Sequence, residues 1–166
     1  MHVRPTVALA SLALCALTAA RAAELSTDCK PVFAAMEKSL QADHTTTTTH
    51  GADVMRGVTV GGTLYLQIGG AWRKSPISVQ DNLAMSRQNL KDAKEYTCKA
   101  LPDSVVDGTP VANYATHTVS DDAVIDSHVA IAKGSGLAVS VENRHTGHAG
   151  ADMVTKYGYG NVKAPM

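Results

Sequence analysis

His44 and His50 bracket five threonines in the heptapeptide HTTTTTH, and His145 and His148 close the tetrapeptide HTGH. Imidazole is the commonest metal-binding side chain, so spacing decides whether either motif is a site. In an extended strand His44 and His50 share a face, but six steps of about 3.3 Å hold them roughly 20 Å apart. That is too far for one ion. HTGH fits better, because a turn brings His145 and His148 onto one metal, with His44 or His50 joining from elsewhere. A glycine-flanked hairpin turn with two solvated imidazoles explains the same four residues, so no metal and no cofactor are assigned.

Covalent chemistry has little to work with. The chain lacks H-E-x-x-H, C-x-x-C, a Walker lysine and a G-x-S-x-G elbow around Ser135. GYGN at Gly158 to Asn161 begins like a dinucleotide fingerprint, then lacks the third glycine. Asp103, Asp107, Asp121 and Asp122 stand where turns favour aspartate. The reading is a non-enzymatic protein.

The first 22 residues have a basic start at Arg4, an apolar run from Val7 to Ala20 and small residues at Ala20 and Ala22, the layout of a cleaved secretory signal. Cleavage after Ala22 leaves residues 23–166 as one domain, periplasmic or secreted. The run is shorter than the roughly 20 residues a spanning helix needs, so the protein is expected not to be membrane-integral. Without Arg4 and Arg21, 13 basic residues face 15 acidic ones, and no basic excess recruits nucleic acid. Cys15 leaves with the signal. The remaining pair, Cys29 and Cys98, in an oxidising compartment predicts one disulfide.

These residues need elements to position them. CKPVFAAMEKSLQAD, from Cys29 to Asp43, has Pro31 in its first turn and Val32, Met36 and Leu40 four apart, which predicts an amphipathic helix. A second helix is expected from Val79 to about Tyr96, with Ser78 as N-cap, Asp81 three residues on, and a stripe through Val79, Leu83, Leu90 and Ala93. Cys98 then lies just past it, so the bridge would staple the two helices together.

The rest alternates with period two. HTTTTTH, β-branched through its middle, reads as the first strand or as a flexible linker, and Val54 to Val60 and Leu64 to Ile68 follow around Gly61 and Gly62. Beyond the second helix come Cys98 to Val106, a turn at Asp107 and Gly108, then Pro110 to Val119, Ile125 to Ile131, Leu137 to Val141 and Met153 to Gly160. The expected fold is α+β: a curved antiparallel meander of about seven strands with two helices covering one face. Trp72 follows the best-patterned strand, where a tryptophan is a core or rim residue more often than a ligand platform.

In LYLQIGGAWRKSP, the VVDGTPVANY hairpin, IAKGSGLAV and the closing YGYGNVKAP, the chain resembles small periplasmic half-barrel proteins, the group of the lipoprotein carrier LolA and its mycobacterial relatives. It departs from them at Ala130, where a large aromatic is common. The resemblance implies a strongly curved sheet with helices on its concave face, sometimes with an apolar cavity for acyl chains. Phe33, Met36, Leu64, Leu66, Trp72, Ile131 and Val139 are the expected lining, and the partner a lipid or lipidated protein. The alternative is a structural or interaction module of the envelope, with these residues as a closed core and the Thr45 to Thr49 row docking another envelope protein.

Overall fold

The computed structural model describes residues 27–146 and 153–165; the expected signal segment and His148 lie outside them. A short 3-10 turn, Thr27–Cys29, leads into α1 (Lys30–Gln41). Strands β1 (His44–His50), β2 (Asp53–Val60), β3 (Thr63–Ile68) and β4 (Ala71–Lys74) follow, then α2 (Val79–Asp92). The chain continues as β5 (Glu95–Val106), β6 (Thr109–Val119), β7 (Val124–Ala132), β8 (Ala138–His145) and β9 (Met153–Tyr159).

Two antiparallel meanders, β1 to β4 and β5 to β9, join where β1 pairs with β9, giving the order β4-β3-β2-β1-β9-β8-β7-β6-β5. The edge strands are therefore β4 and β5, the two that α2 connects. Eight strand spacings would separate them by about 38 Å in a flat sheet, whereas a 14-residue helix spans only about 21 Å. Residues 75–78 and 93–94, on either side of α2, supply the rest of the reach.

There are nine strands rather than the seven expected. The clearest addition is β4, because Gly69 and Gly70, at φ of 59° and 83°, make a two-residue turn and Trp72 belongs to a separate strand. The second helix stops at Asp92, not near Tyr96, and Tyr96 is already paired with Thr118 in the sheet. Its start is as expected: Ser78 Oγ accepts from the Asp81 amide at 3.1 Å, and the Asp81 carboxylate accepts from the Ser78 amide at 3.0 Å.

HTTTTTH is a strand, and a central one. Its threonines alternate between faces, so Thr46 and Thr48 share the helix side with His44, and Thr45, Thr47 and Thr49 take the outer side. No single five-hydroxyl row exists for a partner to dock on. A glycine flanks the strand on each face. A methyl group on Gly57 would stand 2.5 Å from Thr46 Oγ1, and one on Gly158 would stand 2.6 Å from Thr45 Oγ1. The hydroxyls occupy space that neighbouring side chains would normally fill. Because β-branched threonine has few alternative rotamers, Gly57→Ala is expected to cost about 1–3 kcal/mol in urea unfolding, and Thr46→Ala in the same chain to recover most of it. A double variant as unstable as the single one would refute the contact.

The core lies under α1, where Val32 and Ala35 meet Val129, Ile131 and Val141, with Met36, Tyr114 and Tyr157 packed against them. A polar bond fixes the helix over β8, where buried Ser39 accepts from the Ala138 amide at 2.8 Å, and Tyr159 of β9 donates to the Ala138 carbonyl at 2.8 Å. Lys38 donates to the Ser135 carbonyl at 2.6 Å, anchoring the turn before β8.

The outer face has its own buried patch of Val111, Asn113, Ala130 and Ser140. The tip of the β5–β6 hairpin reaches over it. Lys156 holds Asp107 at 3.1 Å, although Lys156 lies three strands from Asn113 and Asp107 six residues before it. A straight hairpin would leave those backbones about 25 Å apart. The hairpin therefore bends back, at the irregularity between Leu101 and Ser104. A Lys133–Asp103 ion pair and the bonds from Asn113 Nδ2 to the Pro102 carbonyl and Ser104 Oγ hold the elbow.

Candidate functional site

The helix-side face divides into a closed half and an open half. Over β6 to β8 it is covered by α1, and Phe33 packs on Tyr96 with ring centres 4.9 Å apart. Phe33, Met36 and Ile131 belong here, and Val139 occupies the irregularity where β8 shifts register against β7.

The β2–β3 wing is open. Leu66 lies opposite Gly57, which is opposite Thr46, which is opposite Tyr157 of the core, so Leu64 and Leu66 share the helix-side face. Leu66 is nevertheless 37% exposed and Ile68 57%. The expected lining is thus distributed: three residues between α1 and the sheet, one at the β8 irregularity, and two on the wing. Trp72 pairs with Gln67 rather than with Leu66, which turns it to the outer face.

Between the halves stands an aromatic cluster that sequence reasoning did not single out. Tyr157 and Tyr159 stack at 6.4 Å, and His44 meets them at 5.7 and 6.1 Å. Burial, and secondarily the neighbouring Tyr159, pushes the Tyr157 phenol up to about 12, and burial also raises Tyr159 and Tyr96. All three phenols stay neutral, and Tyr159 donates to the Ala138 carbonyl. His44 is buried and its Nδ1–H donates to the Ala42 carbonyl at 2.7 Å, so this imidazole caps the strand entry. The available signal was the two-residue repeat of tyrosine in YGYG, which places both rings on one face of a strand.

The outer face carries a hollow of about 420 Å³ over β5 to β8, beside the bent hairpin and lined by several charged side chains. One cross-strand row is Thr97, His117, Asp126 and Arg144; the next is Lys99, Ala115, His128 and Glu142. Ala115 leaves room for the hollow between longer neighbours. His117 Nδ1 lies 2.7 Å from Asp126 Oδ1, and Thr146 donates to the other carboxylate oxygen at 3.2 Å. The hydroxyl bonds the carboxylate rather than the imidazole, so this is a braced ion pair and not an activated nucleophile. His145 ends β8 in the open, and among the described residues no three histidine, cysteine or acidic side chains gather to hold a metal ion.

Hydrogen bonding to Asp126 raises the His117 pKa, and hydrogen bonding to His117 lowers that of Asp126. The stabilisation from His117 is complete below the imidazole's ordinary value and is lost as pH rises through its raised one. That from Asp126 is present above the ordinary carboxylate value and is lost as pH falls through its lowered one. The pair is strongest between about pH 4 and 6. Asp126→Asn is expected to lower the His117 midpoint in an NMR titration; an unchanged midpoint would show that the contact does not form in solution.

No family model matches the chain, and no curated protein matches it. Among solved structures, MucB is similar at 14% identity with a TM-score of 0.52, over 83% of this chain and 60% of that one. The lipoprotein LppX of Mycobacterium tuberculosis is similar at 13% identity and a TM-score of 0.43, over 80% of this chain and 98% of that one. A putative outer membrane lipoprotein-sorting protein domain from Vibrio parahaemolyticus is similar at 8% identity and a TM-score of 0.30, over 82% and 93%. The likeness is one of fold: an open, curved antiparallel sheet with helices on one side.

Proposed function

We propose that the protein is a non-enzymatic, exported envelope protein that holds a hydrophobic ligand, an acyl chain or a lipidated partner, against the open half of its helix-side face. The observation that carries this reading is the exposure of Leu66, an apolar residue on the same face as the core yet outside the cover of α1. Apolar surface left uncovered beside a packed core is a natural seat for an acyl chain, at about 25 cal/mol per Å² of surface removed from water. Leu64 and Leu66 form the seat, Tyr157 and Met36 its inner boundary, and Phe33, Ile131 and Val139 the packed wall behind. Trp72 lines the reverse side of the wing and is a poor reporter of occupancy.

The test is mass spectrometry of organic extracts from protein made in the envelope of a producing cell. The wild type should yield acyl lipid reproducibly, and Leu64→Lys with Leu66→Lys should yield none while melting normally. Extracts free of lipid, or equally rich from both, would defeat the carrier reading. The second reading, an interaction module without a ligand cavity, is favoured by the mixed-charge outer hollow around Ala115. It predicts lipid-free protein and a binding partner lost on Lys99→Glu.

A further inference from the structure

The β1–β2 and β3–β4 turns lie at one end of the sheet, because four consecutive antiparallel strands bring every second turn to the same rim. That rim is apolar and open. Val54 is 52% exposed, Met55 60% and Ile68 57%. Val54 and Met55 are adjacent on β2, so they project from opposite faces of the sheet. Pairing between β2 and β3 ends at Gly57 and Leu66. Arg56 and Arg73 stand a step or two behind. Across β1 to β4, three cations, Arg56, Arg73 and Lys74, face one acid, Asp53. Arg56 donates to the neutral Gln67 side chain at 3.4 Å, and neither arginine has an ion-pair partner among the described residues.

We infer that this rim is a docking tip for an anionic lipid surface. A groove on a protein partner would meet one face of a strand, whereas here apolar side chains leave both faces at the same level. A fluid phase that closes around the tip from either side satisfies both. The arginines behind it sit where lipid phosphates would lie, the arrangement of interfacial binding: shallow apolar insertion with basic residues at headgroup depth. Trp72, half-buried on β4 beside Ala71, stands at the same depth, and tryptophan favours that boundary. The inference does not depend on a ligand occupying Leu64 and Leu66.

Vesicle cosedimentation at low salt tests it, with phosphatidylcholine alone and with three parts phosphatidylcholine to one part phosphatidylglycerol. Every variant keeps the N-terminus that the producing cell leaves on the wild type. The wild type should favour the anionic vesicles. Met55→Ser with Ile68→Ser should weaken that binding roughly tenfold or more, and Arg56→Gln with Arg73→Gln should abolish the preference between the two vesicles. Unchanged thermal melts would show that both variants fold. Leu64→Lys, which addresses the ligand seat, should still bind vesicles. Absence of wild-type binding to anionic vesicles, equal binding to both compositions, or full binding by the Met55 and Ile68 variant would each overturn the inference.

Discussion

Replacing Cys29 with serine should lower the stability of this protein by about 4 kcal/mol, the chain-entropy value for a bridge closing a loop of about 70 residues. At this chain length that corresponds to roughly 10–15 °C in melting temperature. The bridge joins Cys29 to Cys98 across 69 positions, with Cα atoms 5.1 Å apart. Cys29 is wholly buried and directly precedes α1, and Cys98 lies within β5. The bond therefore ties the start of the core helix to an edge strand. It does not staple helix to helix, because α2 ends at Asp92 and Cys98 already pairs with Thr116. Cys98→Ser should cost the same, and the double variant no more than either alone, since one interaction is removed in each case. Thiol labelling of unfolded, unreduced protein should find no reactive cysteine. Two labelled thiols, or additive losses, would show that the bridge is not made.

Local rules carried far in this chain. A proline in the first turn and four-residue spacing located α1. Ser78 and Asp81 located the start of α2. Period-two alternation and glycine or aspartate turns located most strands, and β-branching left HTTTTTH open between a strand and a linker, of which the structure has the strand. Errors arose where local sequence is ambiguous. The two-residue turn at Gly69 and Gly70 starts a further strand after Ile68, and its register places Trp72 opposite Gln67, on the face away from Leu66. The end of α2 was missed because Ala93 and Tyr96 extend its apolar spacing, while Tyr96 is in fact held by pairing with Thr118. Long-range facts were not legible at all: that β1 pairs with β9, that α2 connects the two edges, and that the β5–β6 hairpin folds back to reach Lys156. Each depends on residues more than 40 positions apart meeting in space.

The division of the helix-side face follows from that same long-range order, and two leucine-sized residues measure it. Ile131 is 7% exposed beneath α1, in contact with the cluster of Val32, Ala35, Val129 and Val141. Ile131→Ala removes buried carbons and leaves a space that the strand and helix, tied through Ser39, cannot readily close. The expected loss is about 2–5 kcal/mol in chemical unfolding. Leu66 is 37% exposed on the wing, so Leu66→Ala gives up contacts that water already partly replaces, and the expected loss is below about 1 kcal/mol. In the extraction experiment the order should invert. Leu66→Ala should reduce recovered lipid by removing part of the seat, while Ile131→Ala, where folded, should retain it. If both residues prove equally costly to stability, the wing is packed as tightly as the core and no acyl chain has room there. If Ile131→Ala sheds lipid while Leu66→Ala keeps it, the ligand lies beneath α1 and the seat has been placed on the wrong half of the sheet.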